Sequence, residues 1–411
     1  LFYLPPYSPE FNPDEYLNQD YKRNANKNNI PKNQKELKEN TQNYMENLQK
    51  NPQKIANFFQ HPSVKYACWF FRLFGGGVIL YVSCDHPAMS GVSLYDIAEA
   101  FYARGGKLFI IDEIHKNENF SKDLKAIYDV FDLQVLFSGS SALQIEYSSA
   151  DLSRRAVIHT LGVLSLREFC ELQTNQTFQS YSLEDILKNH EDITFEILKK
   201  IRPLEQFNNY LKYGCYPFYK ESLSDYSMKL LEVINLTIDS DLCGIYNIEP
   251  SKLDKLKKII YMLCSTKPYE LNISKLSTAV GTSWPTLQKY LERMDAGSLI
   301  HIVRAGEGMR AINKPDKLLL DNPNLFIVAC GNGDIGSIRE SFFVSQLGLH
   351  NQVHYHDKGD FIINDNYVFE IGGASKDATQ LKGNKNGYVV NDDVEIGFDN
   401  KIPLWLFGFL Y

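Results

Sequence analysis

The sequence lacks the cysteine patterns that mark a disulfide framework or a zinc site. Its seven cysteines are odd in number and scattered, and no two are spaced as Cys-x-x-Cys. We therefore expect neither a disulfide framework nor a zinc site. A reducing, cytoplasmic compartment fits this cysteine usage best.

Long apolar runs and excess positive charge are also missing. No run approaches the roughly 18 residues of a membrane span, so we expect no membrane partner. The net charge of -7 argues against a protein that coats nucleic acid, although a local basic face stays possible. The 411 residues, 44% hydrophobic and 23% charged, are typical of a globular protein with two to four domains.

A phosphate-binding loop of the form G-x-x-x-x-G-K-[ST] does not occur in the 411 residues. In that loop, backbone amides surround the phosphates while the Lys and Ser/Thr side chains reach the γ-phosphate and Mg²⁺. The glycines Gly75-Gly-Gly77 are followed by a predicted strand and not by Lys-Ser/Thr. They are therefore a poor substitute for the loop.

What is present is a buried strand that ends in two carboxylates. The apolar residues of Lys107-Leu-Phe-Ile-Ile111 lead directly into Asp112 and Glu113. Ligands of doubly wound sheets bind at the carboxyl ends of the strands. In a phosphate-handling site Asp112 would hold Mg²⁺ through water, and Glu113 would polarise an attacking water. The alternative is a core strand followed by a surface turn.

Two later segments favour the phosphate-handling interpretation. A second apolar strand ends at Ser138, which would lie beside Asp112 if the two strands are neighbours. Arg154 and Arg155 then precede a third predicted strand, Ala156–Thr160. Arginine is suited to stabilising charge on a transferring phosphoryl group. Strands and helices alternate here, which predicts a parallel α/β sheet.

This order of parts resembles an AAA+ ATPase with a Walker B strand, a sensor-1 strand and an arginine finger. It is most similar to prokaryotic AAA+ proteins with a winged helix and a C-terminal nuclease-like domain. The resemblance covers roughly Val78–Tyr411 and is carried by Phe109-Ile-Ile-Asp-Glu-Ile-His115, Phe137-Ser-Gly-Ser-Ser141, Leu152-Ser-Arg-Arg155 and Leu164-Ser-Leu-Arg-Glu-Phe169. It implies ATP and Mg²⁺ as cofactors, and a homo-oligomer is possible. Without the phosphate-binding loop, we expect ATP turnover to be absent or very weak.

Loss of the strand before that loop should affect the sheet. This strand is central in such sheets, so we expect an unsatisfied gap between neighbouring strands. Either Leu1-Phe-Tyr-Leu4 or Trp69-Phe-Phe71 is a candidate to fill the gap.

The first segment, by contrast, resembles the end of a DDE transposase of the Tc1/mariner-related type, which has an RNase H fold. The resemblance implies that Glu15, in Asn12-Pro-Asp-Glu15, is the third metal-binding carboxylate. Two-metal chemistry needs three converging ligands, and the two partner aspartates lie on strands that this sequence lacks. We therefore expect a non-catalytic transposase tail, joined by an insertion to an ATPase that has lost its beginning. An acidic first turn of an ordinary helix explains Glu15 equally well.

Residues 246–320 are predicted to form a winged helix. Three helices are followed by a predicted hairpin of Leu299–Val303 with Met309–Ile312. The basic residues that would contact DNA phosphates are Lys289, Arg293, Arg304 and Arg310. Acidic residues lie among them, so a DNA-binding domain and a protein-interaction module are equally favoured.

The last part, from Ile338, resembles a restriction-endonuclease-like PD-(D/E)xK domain. The resemblance implies Mg²⁺ ligands at Glu340, Asp360 and Glu370, with Asp360 and Glu370 on a hairpin. The expected lysine position is Gly372, and the nearest lysine is Lys376. A displaced lysine would be one explanation, but loss of nuclease activity is favoured. The apolar end, residues 402–411, is predicted to be a buried final strand.

The sequence therefore predicts an α/β chain of five parts. They are a transposase fragment (1–70), a truncated AAA+ core with an incomplete P-loop-type sheet (71–160), a helical lid (161–245), a winged helix (246–320) and a nuclease-like α/β domain (321–411). Three alternatives to a weak or inactive ATPase stay open: a DNA- or protein-binding module, a metal-dependent nuclease that uses Lys376, and a non-functional gene fusion.

Overall fold

The fold was obtained as a computed structural model. It describes residues 78–139, 159–243, 248–265, 273–306, 317–331, 333–381 and 383–411, together with residues 36, 40, 43, 44, 152 and 155–157. Glu15, Arg154, Arg310 and the proposed gap-filling segments lie outside these residues. The chain divides into two compact units, Leu1–Leu161 and Gly162–Tyr411. The finer five-part division stays a prediction.

Between residues 78 and 139 the first unit contains a three-stranded parallel sheet and two α-helices. Its elements are β1 (Val78–Ser83), α1 (Leu94–Tyr102), β2 (Gly106–Asp112), α2 (Phe120–Val130) and β3 (Gln134–Phe137). The strand order is β1-β2-β3, and both pairings are parallel. The predicted parallel α/β architecture of this region is confirmed.

The two helices cover the central strand, and this packing builds the core of the unit. Phe109 and Ile111 of β2 are fully buried with Leu94 of α1 and Ile127 of α2. The turn into β2 requires glycine, because a Cβ at Gly106 would lie 2.5 Å from the ring of Phe101. The core therefore fixes β2, which carries Asp112 at its end.

One prediction about this sheet was wrong. The described residues of Ala156–Thr160 form no strand. A strand needs a neighbour with which to exchange backbone hydrogen bonds, and no described strand pairs with this segment. The three described strands are direct neighbours, and the far edge of β3 has no partner strand among the residues that the structure describes. The expected gap beside a missing central strand stays a prediction, because the segments proposed to fill it lie outside the described residues.

In its described residues, the second unit begins with helices and contains seven further strands. The helices are α3 (Leu166–Thr174), α4 (Leu183–Leu198), α5 (Pro203–Tyr213), α6 (Tyr226–Leu236), α7 (Leu253–Ser265), α8 (Ile273–Val280), α9 (Trp284–Ala296), α10 (Pro323–Cys330) and α11 (Ile335–Leu347). The strands are β4 (Ile300–Val303), β5 (Lys317–Leu320), β6 (Val353–Tyr355), β7 (Phe361–Ile363), β8 (Tyr367–Gly372), β9 (Gly387–Asn391) and β10 (Lys401–Pro403).

Five of these strands form a mixed sheet of order β10-β9-β8-β7-β6. Strands β6, β7 and β8 pair antiparallel, whereas β8, β9 and β10 pair in parallel. Asp360 immediately precedes β7 and Glu370 lies in β8, so both belong to one hairpin. Helix α11 packs on β8, and this brings Glu340 to the same side of the unit.

The hairpin after α9 differs from the prediction. Strand β4 pairs antiparallel with β5, whereas the predicted partner, Met309–Ile312, lies outside the described residues. A single parallel bridge joins Ala305, just after β4, to Tyr355 in β6. The β4–β5 ribbon is thus connected to the mixed sheet, and β5 brings Lys317 to the carboxylates described below.

The end of the chain is buried, as predicted, but it is not a long strand. Strand β10 stops at Pro403, and Leu404–Phe409 form a buried 3-10 helix. The tight turn brings Gly408 so close to α3 that a Cβ there would lie 2.4 Å from the Cβ of Leu166. Close packing of a compact turn, rather than strand pairing, buries these apolar residues.

The cysteine pattern predicted no disulfide framework, but the described residues contain a disulfide. Cys264 near the end of α7 is bonded to Cys330, the last residue of α10. The two residues are 66 positions apart, and only the packing of α7 on α10 brings them together. Within the described part of the chain, none of the helices has the length and apolar character needed to span a membrane.

Candidate functional site

The first candidate site lies at the carboxyl ends of β1, β2 and β3. Asp112 is the last residue of β2 and is 8% exposed. The Ser138 hydroxyl donates a hydrogen bond to Oδ1 of Asp112, and the Tyr81 hydroxyl donates one to Oδ2 at 2.9 Å. The structure therefore brings Ser138 beside Asp112, as expected for neighbouring parallel strands.

Backbone hydrogen bonds hold the three strand ends together. The Ser138 amide donates to the Ile111 carbonyl at 2.8 Å, and the Ile114 amide donates back to the Ser138 carbonyl at 2.9 Å. The Cys84 amide donates to the Asp112 carbonyl at 2.9 Å. These bonds fix the position of the Asp112 carboxylate relative to both neighbouring strands.

Glu113 follows in a backbone conformation that is unusual for this residue type. Its φ of 49° and ψ of 42° are left-handed, which costs a non-glycine residue roughly 1–2 kcal/mol. Such outliers are concentrated at functional sites. The Glu113 side chain lies next to His115, with Oε2 at 3.3 Å from Nδ1.

Burial controls the charge of the other groups near this site. It lowers the pKa of His115 to about 4, so this imidazole is neutral at pH 7 and its contact with Glu113 is not an ion pair there. Burial, with smaller effects from Asp112 and Glu113, raises the pKa of Cys84 to about 11. The Cys84 thiol therefore stays protonated and is a poor nucleophile.

Arg155 is engaged within its own unit. Its Nε and one terminal nitrogen donate to the two carboxylate oxygens of Asp129 at 2.9 and 3.1 Å. This paired hydrogen bonding holds the pKa of the Asp129 carboxyl below its ordinary value. The catalytic role of Arg155 stays a prediction, as does that of Arg154 outside the described residues.

The Asp112 environment fits a water-mediated contact with Mg²⁺. Each carboxylate oxygen accepts one hydrogen bond, from Ser138 or Tyr81, and each keeps a further lone pair. Mg²⁺ in phosphate sites usually retains several waters, so Asp112 need not contact it directly. Tyr81 was not anticipated from the sequence. The feature that could have indicated Tyr81 is its position in β1. It lies two residues before Ser83, which pairs with Asp112.

A second cluster of charged side chains lies between β5, α11 and the β7–β8 hairpin. The Lys317 ammonium donates to Glu340 at 2.9 Å and to Asp360 at 2.8 Å. The Lys317 side chain is only 4% exposed, and its ammonium lies 4.8 Å from the centre of the Phe361 ring. The sequence analysis did not identify Lys317 as a site residue, because it precedes three leucines in a strand whose pattern is typical of the hydrophobic core.

Glu370, the third predicted metal ligand, is paired with a different lysine. Lys376 forms an ion pair with Glu370, and the Gln380 amide donates to both Glu370 oxygens at 2.9 Å. A Cβ at Gly372 would lie 2.7 Å from the Cβ and Cγ of Lys376. The stem of Lys376 thus occupies the space beside Gly372, the expected lysine position.

The loop that carries Lys376 is anchored to β9. The Asn391 amide nitrogen donates to the carbonyls of Gly373 at 2.9 Å and Lys376 at 3.2 Å. Beside it, Nε of Arg339 on α11 donates to Asp392 at 2.7 Å. These contacts hold the loop against the sheet, so the ion pair of Lys376 with Glu370 is part of the fold.

Burial sets the titration of this second cluster. It raises the pKa of Glu340 to about 7, against the opposing effect of Lys317. Burial and the nearby Asp360 also raise the pKa of Glu370. For Lys317, burial alone would lower the pKa, but Glu340 and Asp360 outweigh it and the net shift is upward. Lys317 is therefore an ammonium at neutral pH.

The arrangement does not fit a divalent metal held by Glu340 and Asp360, because the ammonium of Lys317 already lies against both carboxylates. Across the described ranges, no group of three or more His, Cys, Asp or Glu side chains converges as metal ligands. The metal roles of Glu340, Asp360 and Glu370 stay predictions.

Of the basic residues predicted to bind DNA, the structure describes Lys289, Arg293 and Arg304. Lys289 is exposed on α9, whereas Arg304 lies 3.9 Å from the carboxylate of Glu292. The choice between a DNA partner and a protein partner therefore stays open.

Comparison with known proteins identifies the class of two segments. Residues 70–170 match the family model described as AAA domain, and residues 1–38 match the model described as DDE superfamily endonuclease. The resemblance of these two segments to an AAA-type ATPase and to a transposase fragment is thereby confirmed.

One curated relative extends the similarity beyond the AAA segment. An uncharacterized protein of Methanocaldococcus jannaschii is 26% identical over 362 residues, which cover 77% of this chain and 75% of that protein. No solved structure matches the chain.

Proposed function

We propose that residues 78–160 form the magnesium- and water-facing half of an AAA-type ATP site, and that this chain turns over ATP weakly or not at all. The observation that carries the first part is the hydrogen bond from Ser138 to Asp112 at the ends of adjacent parallel strands. The AAA domain match over residues 70–170 supports it independently.

Each residue has a distinct role in this proposal. Asp112 would hold Mg²⁺ through water, and Tyr81 and Ser138 fix the orientation of its carboxylate. Glu113 polarises the attacking water from its left-handed backbone position, next to a neutral His115. Bound Mg²⁺ would supply neutralisation of charge on the phosphate oxygens.

Weak or absent turnover is supported by the sequence. Positioning of the γ-phosphate by backbone amides and by a lysine is the main source of catalysis in P-loop enzymes. The 411 residues contain no G-x-x-x-x-G-K-[ST] string that could do so. In this proposal the carboxylates face a nucleotide whose phosphates are not bound by such a loop.

The proposal also includes the assembly of this chain with other chains. Arginine fingers act on a phosphoryl group from the same or a neighbouring chain. Arg155 is held by Asp129 in its own unit, so it would have to leave that ion pair to reach a nucleotide. A homo-oligomer, and a DNA or protein partner for residues 246–320, are part of the proposal.

Phosphate release by the purified full chain, measured with ATP and Mg²⁺, tests this function. The expected result is no release above that of the Glu113→Gln variant, with both proteins folded by circular dichroism. A clear turnover in the parent chain that Glu113→Gln removes would overturn the prediction of an inactive site. A chain that only aggregates would instead favour a non-functional gene fusion.

A further inference from the structure

Lys317 of the second unit is a buried cation that forms ion pairs with two carboxylates. Its ammonium lies 2.9 Å from Glu340 and 2.8 Å from Asp360, and the side chain is almost fully buried. The three residues come from separate elements: β5, helix α11 and the residue before β7. Packing of these elements therefore carries the ammonium to the place where the two carboxylates converge.

The surroundings satisfy this ammonium. An ammonium has three N–H donors, of which Glu340 and Asp360 accept two. The ring of Phe361, 4.8 Å away, supplies a cation–π contact. Asp360 is itself fixed, because its Oδ2 accepts from the Ile371 amide at 2.8 Å.

A divalent cation would compete for the same oxygens. Mg²⁺ and Mn²⁺ bind such sites through carboxylate oxygens, and here those oxygens already contact a positive charge. A metal at this position would lie beside a buried ammonium, where repulsion is poorly screened. A metal ion would therefore have to displace the Lys317 ammonium to bind these two oxygens.

We propose that the ammonium of Lys317 occupies the cation position between Glu340 and Asp360. It thereby prevents a divalent metal ion from binding to these two carboxylates. The restriction-endonuclease-like part of the chain is then a structural charge cluster and not a metal-dependent nuclease. This inference does not depend on the nucleotide site proposed above.

The remaining carboxylate is compensated in the same way. Glu370 is paired with Lys376 and accepts from Gln380, so its charge is also met within the chain. The stem of Lys376 crosses Gly372, and Asn391 anchors the loop behind it. Lys317 and Lys376 thus form ion pairs with all three carboxylates, which are buried or half-buried.

Binding of Mn²⁺ to the full chain, followed by electron paramagnetic resonance of the free ion, tests the proposal. All proteins carry Asp112→Asn, which removes the candidate metal ligand of the proposed nucleotide site. In this background we expect no Mn²⁺ binding that depends on Asp360. Replacing Lys317 with Met, which removes the charge but keeps an apolar stem, should create Asp360-dependent binding that is at least about tenfold tighter than any residual Mn²⁺ binding by the background protein.

Two matched variants identify the site. Lys317→Arg keeps a cation and should bind no more Mn²⁺ than the background protein. Adding Asp360→Asn to Lys317→Met should abolish the gained binding. A folded Lys317→Met protein that gains no binding would overturn the proposal.

The test does not depend on the folding of Lys317→Met. If that variant is unfolded, the background protein with and without Asp360→Asn decides the question. Equal Mn²⁺ binding by these two proteins supports a pair closed to metal. Binding in the background protein that Asp360→Asn removes would show that metal enters despite Lys317.

Discussion

Tyr226 donates its hydroxyl hydrogen to Oδ1 of Asn324 at 2.5 Å, deep in the second unit. The same oxygen accepts from the Cys215 amide at 2.8 Å. The Asn324 amide nitrogen donates to the carbonyls of Tyr210 at 2.9 Å and Leu211 at 2.7 Å. One fully buried side chain therefore connects α5, α6 and α10.

This network makes Asn324→Ala strongly destabilising. The substitution leaves buried donors and acceptors without partners, so we expect the free energy of unfolding to fall by about 3 kcal/mol. Urea denaturation of the full chain measures the change. Asn366→Ala, at an exposed position, is the control and should change the value by less than about 0.5 kcal/mol. Equal effects would contradict the role of the network.

The left-handed backbone at Glu113 predicts an unusual order of stabilities. Glu113→Gly and Glu113→Ala lose the same side-chain contacts, but only glycine adopts a φ of 49° without a steric penalty. The glycine variant should therefore be more stable than the alanine variant by about 1 kcal/mol. Thermal unfolding of both proteins gives the comparison. An alanine variant that is as stable or more stable would refute a strained backbone.

Burial of His115 predicts a loss of stability in mild acid. Its folded pKa of about 4 is below the ordinary 6.5, so the unfolded chain binds a proton first as the pH falls. The contribution is complete above pH 6.5 and is lost between pH 6.5 and about 4, by about 3 kcal/mol. The parent chain should lose more stability over this range than His115→Gln. His159→Gln, at an exposed position, should follow the parent chain, and identical slopes for all three proteins would exclude the effect.

The bond between Cys264 and Cys330 closes a long segment of chain. Cross-links over 66 residues typically stabilise by about 2–4 kcal/mol through the unfolded state. A reducing agent should lower the melting temperature of the parent chain but not that of Cys264→Ser. Intact mass with and without reduction should differ by two hydrogen atoms. A parent chain with no mass change would show that the two thiols are free.

The sequence predicted contacts between consecutive strands better than contacts between distant ones. Ser138 was expected beside Asp112 because apolar strands joined by one helix are usually parallel neighbours. The contact of Tyr81 with Asp112 was not expected, since it depends on the register of β1 against β2. Burial of the last residues was evident from their composition, but their 3-10 conformation depends on the fit of Gly408 against Leu166.

Lys317 and the cysteine pair could not be found from local patterns. Lys317 is 23 residues from Glu340 and 43 from Asp360, and no periodicity joins the three. Cys264 and Cys330 have no informative spacing, because packing of two helices alone brings them together. Where function depends on such long-range packing, a motif such as Glu-x-Lys is a weak guide. Here Gly372 stands at the lysine position, and Lys376 occupies its space.

Equilibrium binding of ATP·Mg to the full chain, by isothermal titration calorimetry, tests the central claim most directly. The parent chain and Asp112→Asn should both show no saturable binding tighter than about 1 mM, because the sequence has no G-x-x-x-x-G-K-[ST] loop to bind the phosphates. Binding in the micromolar range that Asp112→Asn abolishes would contradict this account of an AAA-type site that has lost its hold on the nucleotide.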